Sequence, residues 1–458
     1  MDAHQVIPQE AANRQGGTSR FPLYRVLLVM VLIYFVAFGI LMANLGGQPD
    51  EPKHLYYSNR FAETWGIPKE DPASPFLITG FTYLSYWING AALKILRFMA
   101  PGSSAGQETY VLRLLSLCIS SVTVLYVYKL ASKVTRNRFA GVLAAFFMAN
   151  TLMFVFVSSG VTYDNFMNLA SAAAIYHLVN IYQEEDYVRN TALLGTWLCL
   201  GALAKEQVLL LALLLSIAWL VYSIRSRKRL SLNFSPRNLA WIAVLSASVI
   251  LFLSLYGVNV FRYHHLIPSC PQIKAREVCT VLSFRRPFYQ AVDIRHLWSL
   301  RETIQNPFSY ALNFWIIQML TGIWGVVSHN SFPPLFSVAL HGILILWAAI
   351  CVIRYWKREH LVPTVLLLLL LAYTGYVLFM NYWSELHYDF RHFAVQGRYL
   401  FPVLGVLITL MINYFLQIPS LFLKRATLAF SLIVYFAGGL GLFIFRYAQV
   451  FSYWRIYF

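Results

Sequence analysis

Two adjacent carboxylates, Asp50 and Glu51, follow a long apolar run near the start of the chain, and Lys53, His54 and Tyr57 come directly after them in the stretch QPDEPKHLYY. A carboxylate pair can act as a general base or can bind a divalent cation such as Mg²⁺ or Mn²⁺. It can equally be a solvated turn, because prolines flank it. The aromatic spacing of the following residues favours a helix that begins at the pair, and a helix N-terminus stabilises ionised carboxylates.

A second cluster consists of Gln396, Gly397, Arg398 and Tyr399, at the start of a late apolar run. An arginine at that depth is costly unless it is paired. Its guanidinium suits a phosphate or a carboxylate, and a glycine beside it permits close backbone approach. The alternative is a structural ion pair between Arg398 and a carboxylate, with three candidates: Glu385, Asp389 and Asp50.

Two further places carry charge in apolar surroundings. Asp164, in SSGVTYDN, can contribute to a site or can cap a helix that begins at Asn165. Lys205 and Glu206 interrupt an apolar stretch that runs from 192 to 224. They are candidates for a functional site, or for an ion pair with each other. The histidines show no metal-binding spacing such as H-E-x-x-H, so we predict no zinc site.

The composition defines the class of protein. Of the 458 residues, 59% are hydrophobic and 12% are charged, whereas soluble domains have about 25% charged residues. Apolar runs recur along the chain, and about 20 such residues cross a hydrocarbon core. We therefore predict an all-α polytopic membrane protein surrounded by membrane lipids. The net charge of +17 resides largely in short loops, where Lys and Arg set orientation, so we predict no nucleic-acid partner.

The basic clusters predict the topology, because they mark cytoplasmic ends of spans. They place residues 1–21 in a cytoplasmic tail and residues 22–458 in a single transmembrane domain. About eleven spans alternate without conflict: 22–45, 109–131, 139–160, 165–182, 190–204, 207–224, 239–261, 333–355, 361–382, 398–418 and 426–445.

Two apolar segments, 76–99 and 308–328, conflict with this alternation if they cross the membrane. We predict that both are interfacial helices, with their aromatic residues at headgroup level. They then belong to two large external loops, 46–108 and 262–332, and a shorter external loop covers 383–397. Cys270 and Cys279 lie in the second of these loops and form a disulfide or remain free thiols. All the candidate clusters emerge on one non-cytoplasmic face.

Four motifs in this order carry a resemblance to a known superfamily: PDEPKHLYY after the first span, TYLSYW, YDN, and QGRYLFP at a late helix. They resemble the GT-C superfamily of membrane glycosyltransferases. More narrowly, the chain is similar to a family of bacterial and archaeal polytopic membrane proteins with the pattern P-D-E-P-x-H and a late Q-G-R-Y. The resemblance covers residues from about 22 to 420.

The resemblance implies a GT-C-like fold and a polyprenyl-phosphate-linked sugar donor, used on the external face of a bacterial or archaeal cytoplasmic membrane. The acceptor would be a glycan, a lipid or a protein. An acidic residue of the first external loop is the expected base, here Asp50, with Glu51 as its alternate or as a metal ligand. The substrate-binding candidates are Lys53, His54, Tyr57, Asp164, Lys205, Gln396, Arg398 and Tyr399.

A single base opposite a phosphate leaving group predicts transfer with inversion. Two other functions remain open at this stage. One is a polymerase or ligase of lipid-linked glycans, which would require a diphosphate-linked donor. The other is a non-enzymatic lipid or polysaccharide transporter, which would require polar groups along a path through the membrane.

Overall fold

The computed structural model describes residues 22–43, 48, 50–69, 80–226, 235–275, 306–325, 335–357, 361–387 and 395–446. Within these ranges the regular structure is helical and no strand occurs. The predicted tail 1–21 lies outside them, as do parts of all three predicted external loops. Cys279 also lies outside, so both alternatives for Cys270 and Cys279, a disulfide or two free thiols, stay predictions.

The helices are numbered in chain order within these ranges. The first ten are α1 Leu23–Ala43, α2 Glu51–Glu63, α3 Leu84–Met99, α4 Ala105–Thr135, α5 Arg138–Ala149, α6 Leu152–Ser158, α7 Asp164–Tyr182, α8 Tyr187–Ala204, α9 Val208–Arg225 and α10 Pro236–Tyr263. They are followed by α11 Cys270–Ile273, α12 (307–324), α13 Leu335–Tyr355, α14 Leu361–His387, α15 Phe401–Leu416 and α16 Leu421–Phe445. A 3₁₀ turn, Gly397–Leu400, leads into α15.

Eight helices in the described part of the chain are long and apolar enough to cross a membrane, and the bent pair α5–α6 would make nine. The prediction of an all-α polytopic membrane protein is therefore confirmed. The predicted straight span 139–160 is instead two helices that meet at 72°. They break at Asn150, whose side-chain amide donates to the carbonyl of Phe146 at 2.9 Å, and at Thr151, which has an extended backbone.

The predicted count of about eleven spans is not confirmed, because α7 and α8 are not apolar enough to belong to this set. The first turns of α7 include Asn165, Asn168 and Ser171, and nearly all of its residues are buried. A helix that is surrounded by protein can carry polar groups that lipid would not tolerate. Hydropathy alone therefore does not place α7 and α8 relative to the membrane.

The two segments predicted to be interfacial contain α3 and α12. The 16 residues of α3 pack against α2 through Gly90, where an added Cβ would lie 2.7 Å from the backbone carbon of Phe61. This contact fixes the two helices of the first predicted external loop as one unit. The interfacial positions of α3 and α12 stay predictions.

The centre of the bundle is α15. Its apolar window, which includes the preceding 3₁₀ turn, is 78% buried, whereas the other candidate spans are at most 39% buried. It packs against α4, α5, α7, α13 and α14. Arg398 lies in the turn at the head of this helix, so its position is fixed by the most enclosed element of the fold.

Candidate functional site

Four chain segments bring two carboxylates and two cations together. Arg398 lies between Asp50 and Asp164, with its Nη2 at 3.4 Å from Asp50 Oδ2 and its Nη1 at 3.4 Å from Asp164 Oδ2. Lys205 Nζ lies 2.5 Å from Asp164 Oδ1. We call Asp50, Asp164, Lys205 and Arg398 the charge cluster. Its members come from the start of α2, the start of α7, the end of α8 and the turn before α15.

The members of the charge cluster differ in exposure. The side chain of Asp164 is 0% exposed, that of Lys205 3% and that of Arg398 6%, whereas the side chain of Asp50 is 42% exposed. Asp50 is therefore the most accessible member of the charge cluster. The side chains of Asp164, Lys205 and Arg398 are buried.

Lys205 is tolerated in its apolar surroundings because several partners surround its ammonium. It ends α8 with an extended backbone, and its N–H donates to the carbonyl of Gly201 at 2.9 Å. The ammonium lies 4.6 Å from the ring centre of Tyr163 and 5.1 Å from that of Tyr399, and such aromatic faces stabilise a cation. Lys205 thus pairs with Asp164 and not with Glu206, which is half-buried and forms no ion pair within the described residues.

Asp164 does not cap a helix that begins at Asn165. The helix α7 begins at Asp164 itself, and its N-cap residue, Tyr163, makes no side-chain cap hydrogen bond. The carboxylate of Asp164 instead contacts Lys205 and Arg398. The capping interpretation of Asp164 is therefore wrong.

Arg398 is held by close backbone packing beside it. A Cβ added to Gly397 would lie 2.6 Å from both the amide nitrogen of Ile323 and the carbonyl oxygen of Met319, in α12. The close approach that this glycine permits is thus to a neighbouring helix. Arg398 Nε is buried without a hydrogen-bond partner in the described chain. The side chains of Glu385 and Asp389, proposed as alternative partners, lie outside it.

Replacing Gly397 with alanine is expected to destabilise the protein by about 1–3 kcal/mol, the usual cost of overpacking. The matched control is Gly375→Ala in α14, where an added Cβ meets nothing within 4 Å and the substitution is expected to be neutral or slightly stabilising. Thermal unfolding in detergent measures both variants. Equal midpoints for the two would contradict the packing assignment.

Asp50 has an unusual backbone. Its φ is 59° and its ψ is 11°, a left-handed conformation that aspartate tolerates better than most residues. It occupies the N-cap position of α2, and its carbonyl accepts from the amides of Lys53 and His54 at 3.0 and 3.1 Å. Its carboxylate makes no cap hydrogen bond. The side chain is therefore available to face Arg398, and α2 begins at the carboxylate pair, as predicted from the aromatic spacing.

The carboxyl of Asp50 is ionised at neutral pH. Partial burial raises its pKa, but nearby positive charge, Arg398 foremost and also Lys53, lowers it by more, so that the pKa lies below the usual 3.8. Burial also lowers the pKa of His54 to about 3, so His54 is a neutral imidazole. Its Nδ1 lies 3.0 Å from the hydroxyl of Tyr86, and its Nε2 has no partner in the described chain.

Glu51 has a structural environment that differs from that of Asp50. Its Oε1 accepts from Arg113 Nε and from the amide of Val161, both at 2.9 Å, and its Oε2 also contacts Arg113. Arg113 donates in turn to the carbonyl of Ala43 at 2.6 Å. The pair thus joins the end of α1, α2, α4 and the segment before α7. Both oxygens of Glu51 are occupied, so neither is available to accept a proton or to bind a cation.

Arg113 is a structural residue that was not predicted from the sequence. An arginine inside the apolar run of α4 was the available signal, since such a residue requires a partner. Its partner, Glu51, is one of the two adjacent carboxylates that the sequence had singled out.

The remaining candidates are distributed around the charge cluster. Lys53 is half-buried and acts on Asp50 electrostatically. Tyr57 is buried, with its ring centre 4.7 Å from that of Tyr86. Gln396 has a buried Oε1 without a partner in the described chain, and Tyr399 faces Lys205.

The carboxylates present do not fit a divalent cation. Both oxygens of Glu51 and of Asp164 are engaged by cations or an amide, so Asp50 is the one of these three carboxylates with free acceptor capacity. Among the described residues no group of three His, Cys, Asp or Glu could hold a metal ion. Lys205 and Arg398 already supply the positive charge at this point. We therefore derive no step through a metal.

Comparison with known families adds evidence that is independent of this geometry. Residues 94–256, about a third of the chain, match the family described as dolichyl-phosphate-mannose-protein mannosyltransferase. This match confirms the resemblance to GT-C glycosyltransferases. The GT-C match includes Asp164 and Lys205, whereas Asp50 and Arg398 lie outside it. No match was found among curated proteins.

Among solved structures, the chain is similar to the Archaeoglobus fulgidus oligosaccharyltransferase. The apo form is 16% identical with a TM-score of 0.49, and the alignment covers 91% of this chain and 54% of that one. The same organism's oligosaccharyltransferase AglB, in complex with an inhibitory peptide and a dolichol-phosphate, is 14% identical with a TM-score of 0.49, covering 93% and 56%. The chain thus spans about half the length of these proteins.

Proposed function

We propose that the protein is a membrane glycosyltransferase that transfers a sugar from a polyprenyl-phosphate-linked donor to an acceptor hydroxyl on the non-cytoplasmic face of the membrane. The observation that carries the proposal is the position of Asp50, an exposed and ionised carboxylate 3.4 Å from the buried guanidinium of Arg398. This arrangement provides a base and an anion-binding group side by side.

Asp50 is the general base in this proposal. A sugar hydroxyl has a pKa far above neutral, so its proton must leave as the new bond forms. Asp50 is ionised and exposed, whereas Asp164 is fully buried and engaged by two cations. Asp50 accepts the proton, and Asp164 holds Lys205 and Arg398 in position.

Arg398 binds the donor phosphate. Its two contacts to carboxylates are both 3.4 Å, longer than the usual 2.7–3.2 Å of an N–H···O hydrogen bond. By contrast, Lys205 holds Asp164 at 2.5 Å. The guanidinium is thus loosely held, and it has an unpartnered Nε. A phosphate can replace Asp50 as its partner and form shorter charge-assisted hydrogen bonds.

The reaction is a single displacement. The acceptor oxygen loses its proton to Asp50 and bonds to the anomeric carbon, while the bond from that carbon to the phosphate oxygen breaks. The phosphate leaves with the bonding electrons and needs no general acid, because Arg398 and Lys53 stabilise its charge. Attack opposite the leaving group gives inversion.

The central test measures donor binding and transfer by the purified full chain in lipid nanodiscs, with farnesyl-phosphate mannose and its glucose analogue as probes. Arg398→Ala is expected to weaken donor binding by about 10- to 100-fold, because a hydrogen bond to a charged group contributes about 1.5–3 kcal/mol. The matched control is Arg97→Ala, which removes a half-exposed arginine paired with Glu108.

Unchanged donor affinity in Arg398→Ala would contradict the phosphate-binding role. Arg398→Lys keeps the positive charge but loses the planar guanidinium that binds a phosphate through two nitrogens. We therefore expect an intermediate donor affinity if the protein folds. Farnesyl-diphosphate mannose is the third probe. Turnover with this diphosphate alone would indicate a polymerase or ligase of lipid-linked glycans. Transport across the membrane of sealed proteoliposomes without turnover would indicate the non-enzymatic alternative.

A further inference from the structure

A polar cavity of about 1070 Å³ lies at the end of the bundle opposite to the charge cluster. Its walls come from the C-terminal ends of α4, α7 and α15 and from the N-terminal end of α14. The charge cluster lies at the N-terminal ends of α7 and of the turn before α15. The 19 residues of α7 separate the two places by about 28 Å, at 1.5 Å per residue.

We propose that this cavity binds a phosphate-bearing ligand, either an anionic lipid headgroup or a soluble phosphate ester. The site is distinct from the proposed donor site, and the proposal does not depend on the transfer reaction.

Unpaired positive charge lines the cavity. Lys133, Arg136 and Lys357 contribute to its wall together with Glu184 and Glu185. Lys133 pairs with Glu185. Arg136 and Lys357 have no ion pair or hydrogen bond among the described residues, and both side chains are exposed at the rim. Two cations are therefore available to an incoming anion.

A buried amide side chain forms part of the wall of the same cavity. Asn413 is 8% exposed and lines the wall, and its Nδ2 has no hydrogen-bond partner within the described chain. Leaving such a group unsatisfied costs about 1–3 kcal/mol. Rotation of the amide about its last side-chain bond would turn Nδ2 to the cavity, where a bound acceptor oxygen removes this cost. Basic residues in short loops can be explained by membrane orientation alone. An unsatisfied buried amide donor in the wall of the cavity is not explained in that way.

The volume and the lining of the cavity suit a phosphate ester better than inorganic phosphate. Its volume matches the upper range of small-molecule sites, roughly 300–1,000 Å³. One wall is apolar and is formed by Leu361, Val362 and Pro363 at the start of α14. The phosphate would contact Arg136, Lys357 and Asn413, and the attached organic group would contact this wall.

The test uses the full chain in detergent, titrated separately with detergent-solubilised phosphatidylglycerol, detergent-solubilised phosphatidylcholine, and glycerol phosphate. Binding is followed by the shift in thermal midpoint and by native mass spectrometry. The wild type is expected to bind phosphatidylglycerol or glycerol phosphate at least tenfold more tightly than the double variant R136Q/K357Q. Retention of phosphatidylglycerol alone identifies a lipid headgroup, and saturation by glycerol phosphate identifies a soluble ester.

The matched control is Arg354→Gln, which removes an exposed cation of α13 that does not line the cavity. It is expected to bind as the wild type does. Asn413→Asp places a negative charge at the buried donor position and is expected to weaken binding at least as strongly as the double variant. Equal binding by wild type and R136Q/K357Q, or equal loss in Arg354→Gln, overturns the proposal.

Discussion

Replacing Asp50 with asparagine is expected to reduce sugar transfer by about 10² to 10⁴, the usual contribution of a general base. Asparagine keeps the shape of the side chain and tolerates the left-handed backbone found at this position, so the unfolding midpoint should stay near that of the wild type. The measurement is turnover of farnesyl-phosphate mannose at saturating donor, with thermal unfolding recorded in parallel.

The control for Asp50→Asn is Glu63→Gln. Glu63 is a carboxylate of the same helix, exposed and paired with Arg60, and its removal should leave transfer unchanged. Full activity in Asp50→Asn would exclude Asp50 as the base. An equal loss in both variants would indicate that the helix, and not the carboxylate of Asp50, is what transfer requires.

The pH profile gives a second readout of the same assignment. The pKa of Asp50 lies below 3.8. The carboxylate is therefore ionised at every pH above its pKa, and activity is expected to fall only as the pH drops through that pKa. His54 has a pKa of about 3 and stays neutral across the working range, so no inflection is expected near pH 6.5. Removing a nearby cation with Lys53→Gln should move the acid limb to higher pH. An acid limb in the wild type near pH 6.5 would contradict both the low pKa of Asp50 and the neutral state of His54.

Replacing Asp164 with alanine is expected to destabilise the protein by about 3–5 kcal/mol. Removing one partner of a buried ion pair leaves the other charge uncompensated, and here it leaves both Lys205 and Arg398 without their shared carboxylate. The measurement is unfolding in detergent by heat or denaturant. The matched control is Glu63→Ala, which breaks an exposed pair and should cost about 0–1 kcal/mol.

The double variant Asp164→Ala with Lys205→Met separates charge from packing. If uncompensated charge causes the loss, removing Lys205 as well should recover part of the stability, because the double-mutant cycle isolates their coupling. A double variant no more stable than Asp164→Ala would exclude the uncompensated charge of Lys205 as the cause of the loss.

The members of the charge cluster could be selected from the sequence, but their pairing could not. Asp164, Lys205 and Arg398 are charged residues in apolar surroundings, where each requires a partner. The partners are 41 residues apart for Lys205 and Asp164, and 234 for Arg398 and Asp164. Only the packing of α7, α8 and α15 brings them together. Both local alternatives, an Asp164 cap and a Lys205–Glu206 pair, were wrong for this reason.

The dependence on contacts between distant parts of the chain also explains why the predicted number of spans was not confirmed. Apolar runs identify helices that face lipid, which is why α1, α4 and α13 could be predicted closely. The polar and buried residues of α7 are compatible with protein contacts that hydropathy does not record. The bend at Asn150 and Thr151 also escaped prediction, since neither residue is a proline or a glycine.

The backbone contact between Gly397 and α12 couples two parts of the chain that are far apart in sequence. No side chain lies between them to absorb a displacement, and close-packed interiors transmit strain. Trp315, also in α12, donates to Asn381 of α14 at 2.9 Å. This hydrogen bond anchors α12 to α14. A displacement of α12 therefore shifts the backbone segment that carries Arg398.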